Sequence, residues 1–521
     1  MGFLHNHAAK TVEARNKLIR ESSIRRIINF ADLRFQLFEN AQRPAALFIF
    51  GRRAKPGPAY RFDYWAPKAD LNLRIKRVIT LSSADKLSLS SDTVTDNPLA
   101  FKNRLWMREP EAKLFSYLSK LPMLGSFVKD YSGVRRRKQG LVEQWIIGQG
   151  YQPHHEPKEG KRPSPYSMSQ YVGKISDLPI IAFQRLAQTS TDLKPASSSR
   201  VRRKGFEAGF KGTRVLIPRG VDTVRNRLRA TYVETPLTFQ HIIQSIIVPS
   251  GQEYRAKLLT AVLNSKVAIW FAFHGTSSFG ADRPEVQQAE LLHLPFPTAD
   301  DLPDTERAKK AADKLVALVD SALAAAQTPA ALIPNEDDAL DDIDALSYDY
   351  FCLSADEISL VEDTVSKIIP AVQPHEGGYP DLWKQPNPTE REDYAKTLEK
   401  SVGAWLDNGS TVTAELEAKS ADLGILRLSL DGPSNSGRGY SEKQDGSISE
   451  SLKRLAAHFH QPLDGNFQLM PDFRAFVGTN LFLVKPMQRR FWLKSAALAD
   501  ANAIAMDLQD AVELDTRRSS A

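Results

Sequence analysis

At 521 residues, the chain is too long for one ordinary core and long enough for two to four domains. Its apolar and charged fractions, 42% and 25%, are those of a globular protein, and a net charge of +7 is mild enough that its distribution matters more than its sum. Cys352, the single cysteine, excludes a disulfide framework and any zinc site built on several thiolates, and it points to a reducing cytoplasm. No apolar run is long enough to span a bilayer and no signal-peptide pattern is visible. Asn6 stands where a myristoylation signal requires Ser or Thr, so neither a lipid anchor nor a membrane partner is expected.

In chain order, residues from about Ala8 to Glu21 suit a helix. The β-branched run Ile24–Phe30 predicts a buried strand, and Pro44–Phe50 a second one ended by Gly51-Arg52-Arg53. Two strands and a helix cannot bury a core alone, so a larger sheet is expected in a partner or in missing upstream sequence. Leu71 to Leu81 reads as strand-like, Glu111–Leu121 as a helix, and Thr213–Pro218 as a short strand in a Gly-, Pro-, Ser- and Arg-rich region. Glu253 to Phe273 carries apolar residues at helical spacing (Leu258, Leu259, Val262, Leu263, Val267, Trp270, Phe271) and predicts one core-packed helix. Residues 304–326 form an Ala-rich amphipathic helix.

Residues 336–363 are acidic, and a solvated acidic linker is a better expectation for them than a metal site. Ser354 and Glu357 spell a capping box that starts a helix running to about Ile369. Beyond a Pro-rich linker near 370–390, a helix from about Glu392, strands near Gly424–Leu430 and Asn480–Val484, and a terminal helix from about Leu493 complete the pattern. The expected class is α+β, in five segments: 1–53, a linking region 54–130, an irregular domain 131–300, a helical spacer 301–385 and a module 386–521 of unassigned role.

The stretch Ile24 to Arg53, IRRIINFADLRFQLFENAQRPAALFIFGRR, resembles the last two strands of the catalytic domain of amino-group DNA methyltransferases. By that resemblance Phe38, six residues before Pro44, would stack on a target adenine flipped out of the duplex; a core phenylalanine is the equal alternative. Residues 212–297 resemble the target recognition domain of single-chain restriction–modification methyltransferases and of type I specificity subunits. The marks are Leu263-Asn264-Ser265, an aromatic run, a Gly/Ser loop and a polar helix ending in Leu294-Pro-Phe-Pro297. Asn264 and Ser265 read as helix-packing residues. Tyr350 to Glu362 is similar to a helical segment that follows that domain in the family. The resemblance implies double-stranded DNA as partner and, in the intact enzyme, methyl transfer from S-adenosylmethionine to adenine N6.

Charge distribution agrees independently. Arg202, Arg203, Lys204, Lys211, Arg214, Arg219, Arg225, Arg227 and Arg229 crowd one segment, opposed within it only by Glu207 and Asp222. Such residues neutralise phosphates, and Arg also reads guanine. Arg43, Arg52 and Arg53 join them as candidates for DNA contact, and Arg135–Lys138 is a second basic cluster. The Gly-rich turn and the Asn-Pro-Pro-Tyr loop that the family needs for cofactor and catalysis are missing. Asn97-Pro98-Leu99-Ala100-Phe101 and Gly148-Gln149-Gly150 match them only superficially. No catalytic or metal residue is therefore expected in this chain, and a methyltransferase N-terminal half or modification subunit is the expected partner. Two alternatives stay open. One is a non-catalytic specificity subunit. The other is a restriction subunit with a nuclease in residues 400–521, for which Asp381, Glu417 and Lys419 are the candidates. His5-Asn6-His7 and His154-His155-Glu156 are too compact to be nuclease or ligand sets. Arg489, Arg490 and Trp492 suit either DNA contact or an ordinary packed end.

Overall fold

The computed structural model describes residues 3–38, 43–52, 58–136, 144–153, 171–172, 178–182, 201–326, 336–375, 377–405, 411–432, 440–443, 446–458 and 473–519. They fall into two compact units. The first combines Met1–Lys113, Gly280–Asp282 and Glu362–Ala521; the second combines Leu114–Phe279 and Arg283–Val361. The mixture of helices with several mixed sheets is α+β, as the sequence indicates.

In the first unit the helix Ala9–Glu21 is followed directly by β1, Ser22–Asn29. The buried Arg15 guanidinium donates to the carbonyls of Leu4 (2.9 Å) and Pro98 (2.8 Å), tying the start of the chain to the body of the unit. β1 pairs antiparallel with β2 (Ala46–Arg52) and parallel with β3 (Arg61–Trp65); β4 (Lys86–Ser90) adds to β3. The sheet order β2-β1-β3-β4 corrects the expectation that the rest of this sheet lies outside the chain, because residues 61–90 supply two of its strands. The apolar run near 71–81 is not a strand. Asp70 caps Leu73 N at 2.9 Å, and Asn72–Lys76 winds into a π-helical turn. β2 is not a buried strand either. It is an edge strand, and Leu47, Ile49 and Phe50 are 47%, 41% and 52% exposed. The core forms from Ile24, Ile27, Phe62, Tyr64 and Leu89 on the other strands, with Phe101 from the helix Ala100–Trp106.

The C-terminal segment of this unit builds a five-stranded sheet. Thr411–Lys419 and Leu423–Gly432 form an antiparallel pair, extended by Asn480–Pro486 and Phe473–Val477. The helices Pro388–Gly403 and Lys494–Ser519 pack against each other beside it. Its core is continuous with residues from the N-terminal segment. Leu33, Ala69 and Leu73 belong to the same apolar cluster as Leu398, Leu426, Leu483 and Trp492.

The second unit holds a six-stranded sheet in the order Val128–Asp130, Trp145–Gln149, Ile243–Ile247, Arg214–Pro218, Thr231–Val233, Ile181–Ala182. The single helix expected over 253–273 is two helices, Glu253–Asn264 and Lys266–Gly275, bent by 67°. Ser265 makes the break: its backbone is extended, and its hydroxyl accepts from Ala268 N at 3.3 Å to start the second helix. Among the described residues no single helix is long and apolar enough to cross a membrane. The bent pair taken together is long and apolar enough, and its residues are mostly buried in the unit. The acidic segment is not a linker. Glu336–Tyr350 is a helix packed on Thr305–Ala325. The capping box is present as read: Ser354 Oγ accepts from Glu357 N, and Glu357 Oε2 accepts from Ser354 N at 2.9 Å.

Candidate nucleic-acid interface

The site begins with glycines. A Cβ on Gly148 would lie 2.5 Å from the ring of Phe206, and one on Gly205 would lie 2.4 Å from the Gly150 carbonyl. Gly205 also sits at φ +74°, a left-handed conformation that glycine adopts without cost. The loop carrying Arg203 and Lys204 is thus pressed flat onto the strand Trp145–Gln149. Gly148-Gln149-Gly150 is a packing surface for this loop and not a cofactor turn.

Beside that loop a cleft opens, lined by Tyr131, Gln149, Arg203, Lys204, Gln287 and Gln288. Arg203 Nη2 donates to Gln149 Oε1 at 3.0 Å, and Lys204 faces Glu207 at 3.6 Å with both side chains half exposed. Asp130 Oδ1 accepts from Ser132 N at 2.7 Å while its other oxygen takes the Gln288 amide, so Asp130 fixes one wall. Arginine, lysine, tyrosine and glutamine on one open wall can bind phosphates, stack on bases and pair with base edges. The glutamines, Tyr131 and Asp130 were not singled out from sequence. Gln287 and Gln288 sit in an unremarkable polar segment, and only the strand order brings them beside Arg203.

The basic run divides in two. Arg202, Arg203, Lys204 and Lys211 are exposed. The others are tied down, which corrects the reading that only Glu207 and Asp222 oppose them. Arg214 is buried, donates to the carbonyls of Gly212 and Thr235, and is pushed down to about 10 by burial. Arg227 is buried and grips both oxygens of Asp344, at 2.8 and 2.6 Å. Arg229 pairs with Asp222 at 2.6 Å, Arg225 with Asp337 at 2.9 Å, and Arg219 with Glu285 at 3.2 Å. Arg214 and Arg227 therefore leave the set of candidate DNA contacts for the interior. The acidic helix Glu336–Tyr350 thus supplies the counterions of Arg225 and Arg227.

In the first unit Phe38 ends the short helix Arg34–Leu37 and is 44% exposed, so it is not a core residue. Its flanks are pinned by one carboxylate: Arg34 and Arg43 reach Asp282 at 3.0 and 2.8 Å. Arg52 is exposed at the end of β2. Arg53, His154-His155-Glu156 and Lys138 lie outside the described residues.

Asn97 Oδ1 accepts from Leu99 N at 2.9 Å and Phe101 is buried, so that stretch serves the fold. Both partial motifs thus serve packing. The nuclease candidates are likewise engaged. Glu417 is buried against Ser451 and Arg454, Lys419 pairs with Glu442 at 2.5 Å, and Asp381 pairs with Lys384 on the surface. Among the described residues no group of acidic, His or Cys side chains could hold a metal ion. Burial against Asn29 pushes His5 down to about 3. Asn264 brackets Ala230, accepting from its N–H and donating to its carbonyl, and acts as a packing residue. Arg489 pairs with Glu390, Arg490 with Asp85, and Trp492 is buried with Nε1 donating to Pro486 O: a packed end.

No family model matches the chain, and no curated protein does. Solved structures that match include the type IIG restriction endonuclease BpuSI, at 9% identity and TM-score 0.25, over 67% of this chain and 46% of that one. Another is the type IIL restriction–modification enzyme MmeI in complex with DNA, at 12% identity and TM-score 0.33, over 68% and 47%. The chain spans about half the length of these structures.

Proposed function

We propose that this chain is the DNA-recognition part of a restriction–modification or phage-defence system that methylates adenine N6 at specific sites. S-adenosylmethionine and the groups that accept the adenine amino protons would come from an N-terminal half or a modification subunit. The observation that carries this reading is the exposed Arg202-Arg203-Lys204 segment beside a cleft walled by Tyr131, Gln149, Gln287 and Gln288. Phosphate-binding cations next to groups that pair with base edges are what site-specific duplex binding requires. Lys211, in the same unit, is exposed as well. In the first unit the exposed Arg52 and the exposed aromatic face of Phe38, a candidate to stack on an extruded base, support the same reading.

The edge strand β2 favours a partner-dependent form of the same role, a specificity subunit. Its exposed Leu47, Ile49 and Phe50 and its open backbone edge suit a strand from another polypeptide.

The test is duplex-DNA binding by fluorescence anisotropy across a salt series. The wild type should weaken steeply with salt. The triple variant Arg202→Gln, Arg203→Gln, Lys204→Gln should lose up to about 2.7 units of slope in log K against log salt, at about 0.9 per phosphate contact. A folded chain that fails to bind duplex at low salt, or a triple variant with an unchanged slope, refutes the proposal.

A further inference from the structure

Arg202, Arg203 and Lys204 are all exposed, but they are not held alike. Arg203 ends the short strand Val201–Arg203 and pairs there with Gln152 of the strand Gln152–Pro153. Three residues on, Phe206 N donates to Gln149 O at 2.8 Å, so the backbone is tied on both sides of Lys204-Gly205. Close contacts remove further freedom. A Cβ on Gly205 would meet the Gly150 carbonyl, and the Phe206 ring lies against Gly148 with its centroid 4.6 Å from that of Tyr131.

On this fixed backbone the Arg203 guanidinium is aimed by a neutral partner. Its Nη2 donates to Gln149 Oε1 at 3.0 Å, and among the described residues no carboxylate pairs with it. Lys204 instead faces Glu207 at 3.6 Å, with both side chains half exposed. The carboxylate in the cleft wall, Asp130, is already occupied: Oδ1 accepts from Ser132 N at 2.7 Å and Gly133 N at 3.2 Å, and Oδ2 takes the Gln288 amide. The rest of the planar fork of Arg203 donors is therefore left to a ligand. A phosphate accepts a flexible cation from many angles. The N7 and O6 acceptors of guanine in the major groove require a guanidinium in one plane, and a fork already oriented loses less freedom in making both bonds.

We propose that Arg203, positioned by Gln149, reads a guanine of the target sequence from the major groove, while Arg202 and Lys204 hold phosphates. The inference rests on the duplex-binding reading and names the residue of that cleft that carries sequence preference.

The full-length chain is first used to select from duplexes with a randomised centre, and the selected sequence is then measured by fluorescence anisotropy. Selection should fix a G·C pair. At that pair 7-deazaguanine, which lacks the N7 acceptor, should weaken wild-type binding roughly tenfold. Inosine, which lacks only the minor-groove amino group, should bind like guanine. Arg203→Met should bind the guanine and 7-deazaguanine duplexes alike and lose a roughly 5- to 150-fold preference for G·C at that position. Gln149→Ala should lower the same preference without changing the salt slope, and Gln149→Glu, which keeps the accepting oxygen, should restore it. Arg202→Met and Lys204→Met should each lower the slope of log K against log salt by about 0.9 and keep the preference. Arg203 is exposed, so its variant should keep the wild-type circular dichroism, and the 7-deazaguanine measurement on the wild type needs no variant. Three results overturn the assignment of Arg203 while duplex binding stands: selection that fixes no G·C pair, a 7-deazaguanine effect that survives in Arg203→Met, or an Arg203→Met variant that loses slope and keeps the preference. A folded chain that binds no duplex at low salt overturns the duplex-binding reading and this inference together.

Discussion

Replacing Arg227 distinguishes an interior ion pair from a DNA contact. Arg227→Met removes a guanidinium that is 5% exposed and leaves Asp344, 4% exposed, with Lys266 Nζ at 3.4 Å and Lys266 N at 2.7 Å. Breaking a buried pair from one side costs about 3–5 kcal/mol, because the remaining charge stays out of water. Lys266 retains part of the compensation, so the low end, about 3 kcal/mol, is expected. For a unit of this size that lowers the melting temperature by roughly 6–12 °C. The double variant Arg227→Met, Asp344→Leu removes the stranded charge and should recover most of the loss. The assay is thermal and urea unfolding followed by circular dichroism, beside DNA binding at a temperature where all variants are folded. If Arg227→Met melts like the wild type but binds DNA poorly, the residue faces DNA and the reasoning fails.

Three further outcomes follow from the geometry. Burial pushes the Glu442 carboxyl up, but bonds from Arg391, Lys419 and Tyr440 outweigh it and bring it down to about 2, from an ordinary 4.5. A depressed carboxylate stabilises the fold above its unfolded value and loses that contribution as pH falls from 4.5 towards 2. Glu442→Gln should therefore be less stable than wild type at pH 7 and converge with it in acid; parallel urea midpoints across pH would contradict the assignment. Gly148→Ala drives a methyl into the Phe206 ring and should cost about 1–3 kcal/mol while weakening duplex binding, since it lifts the Arg203 loop; unchanged binding in a destabilised variant would separate the loop from DNA. Ser265→Ala removes the cap at the helix break and should cost about 1 kcal/mol in urea unfolding, with an intact helix signal after the variant refolds.

Legibility in the sequence tracked how local the determining contacts are. Ile24–Phe30 and Thr213–Pro218 were readable because β-branched composition and a flanking loop suffice. The Ser354 box was readable because its bonds span three residues. The run Leu71–Leu81 misled because one side chain, Asp70, starts a turn that outweighs apolar composition. The break at Ser265 was hidden because both halves keep a helical pattern and only the cap direction reveals it. At the candidate interface, nine basic positions looked equivalent until remote carboxylates from residues 285, 337 and 344 claimed three of the arginines. The acidic and basic segments were each visible. Their pairing was not, because it depends on the packing of Glu336–Tyr350 in the second unit.

The order in which the first unit receives its parts sets the order in which the protein can be built. Its strands β1 to β4 leave the ribosome early, yet Leu33, Ala69 and Leu73 complete an apolar cluster only with residues beyond Glu362. Meanwhile the second unit, Leu114–Phe279 with Arg283–Val361, emerges almost whole and has every strand of its sheet in hand. Domains generally fold as units during synthesis. The nascent chain therefore passes through a stage with a finished central unit and an N-terminal segment still waiting for the last third of the polypeptide. In that interval the apolar edge of β2 and the open side of the Leu33 cluster are both in water. It is the stage at which a chaperone or a co-translated subunit has most to hold.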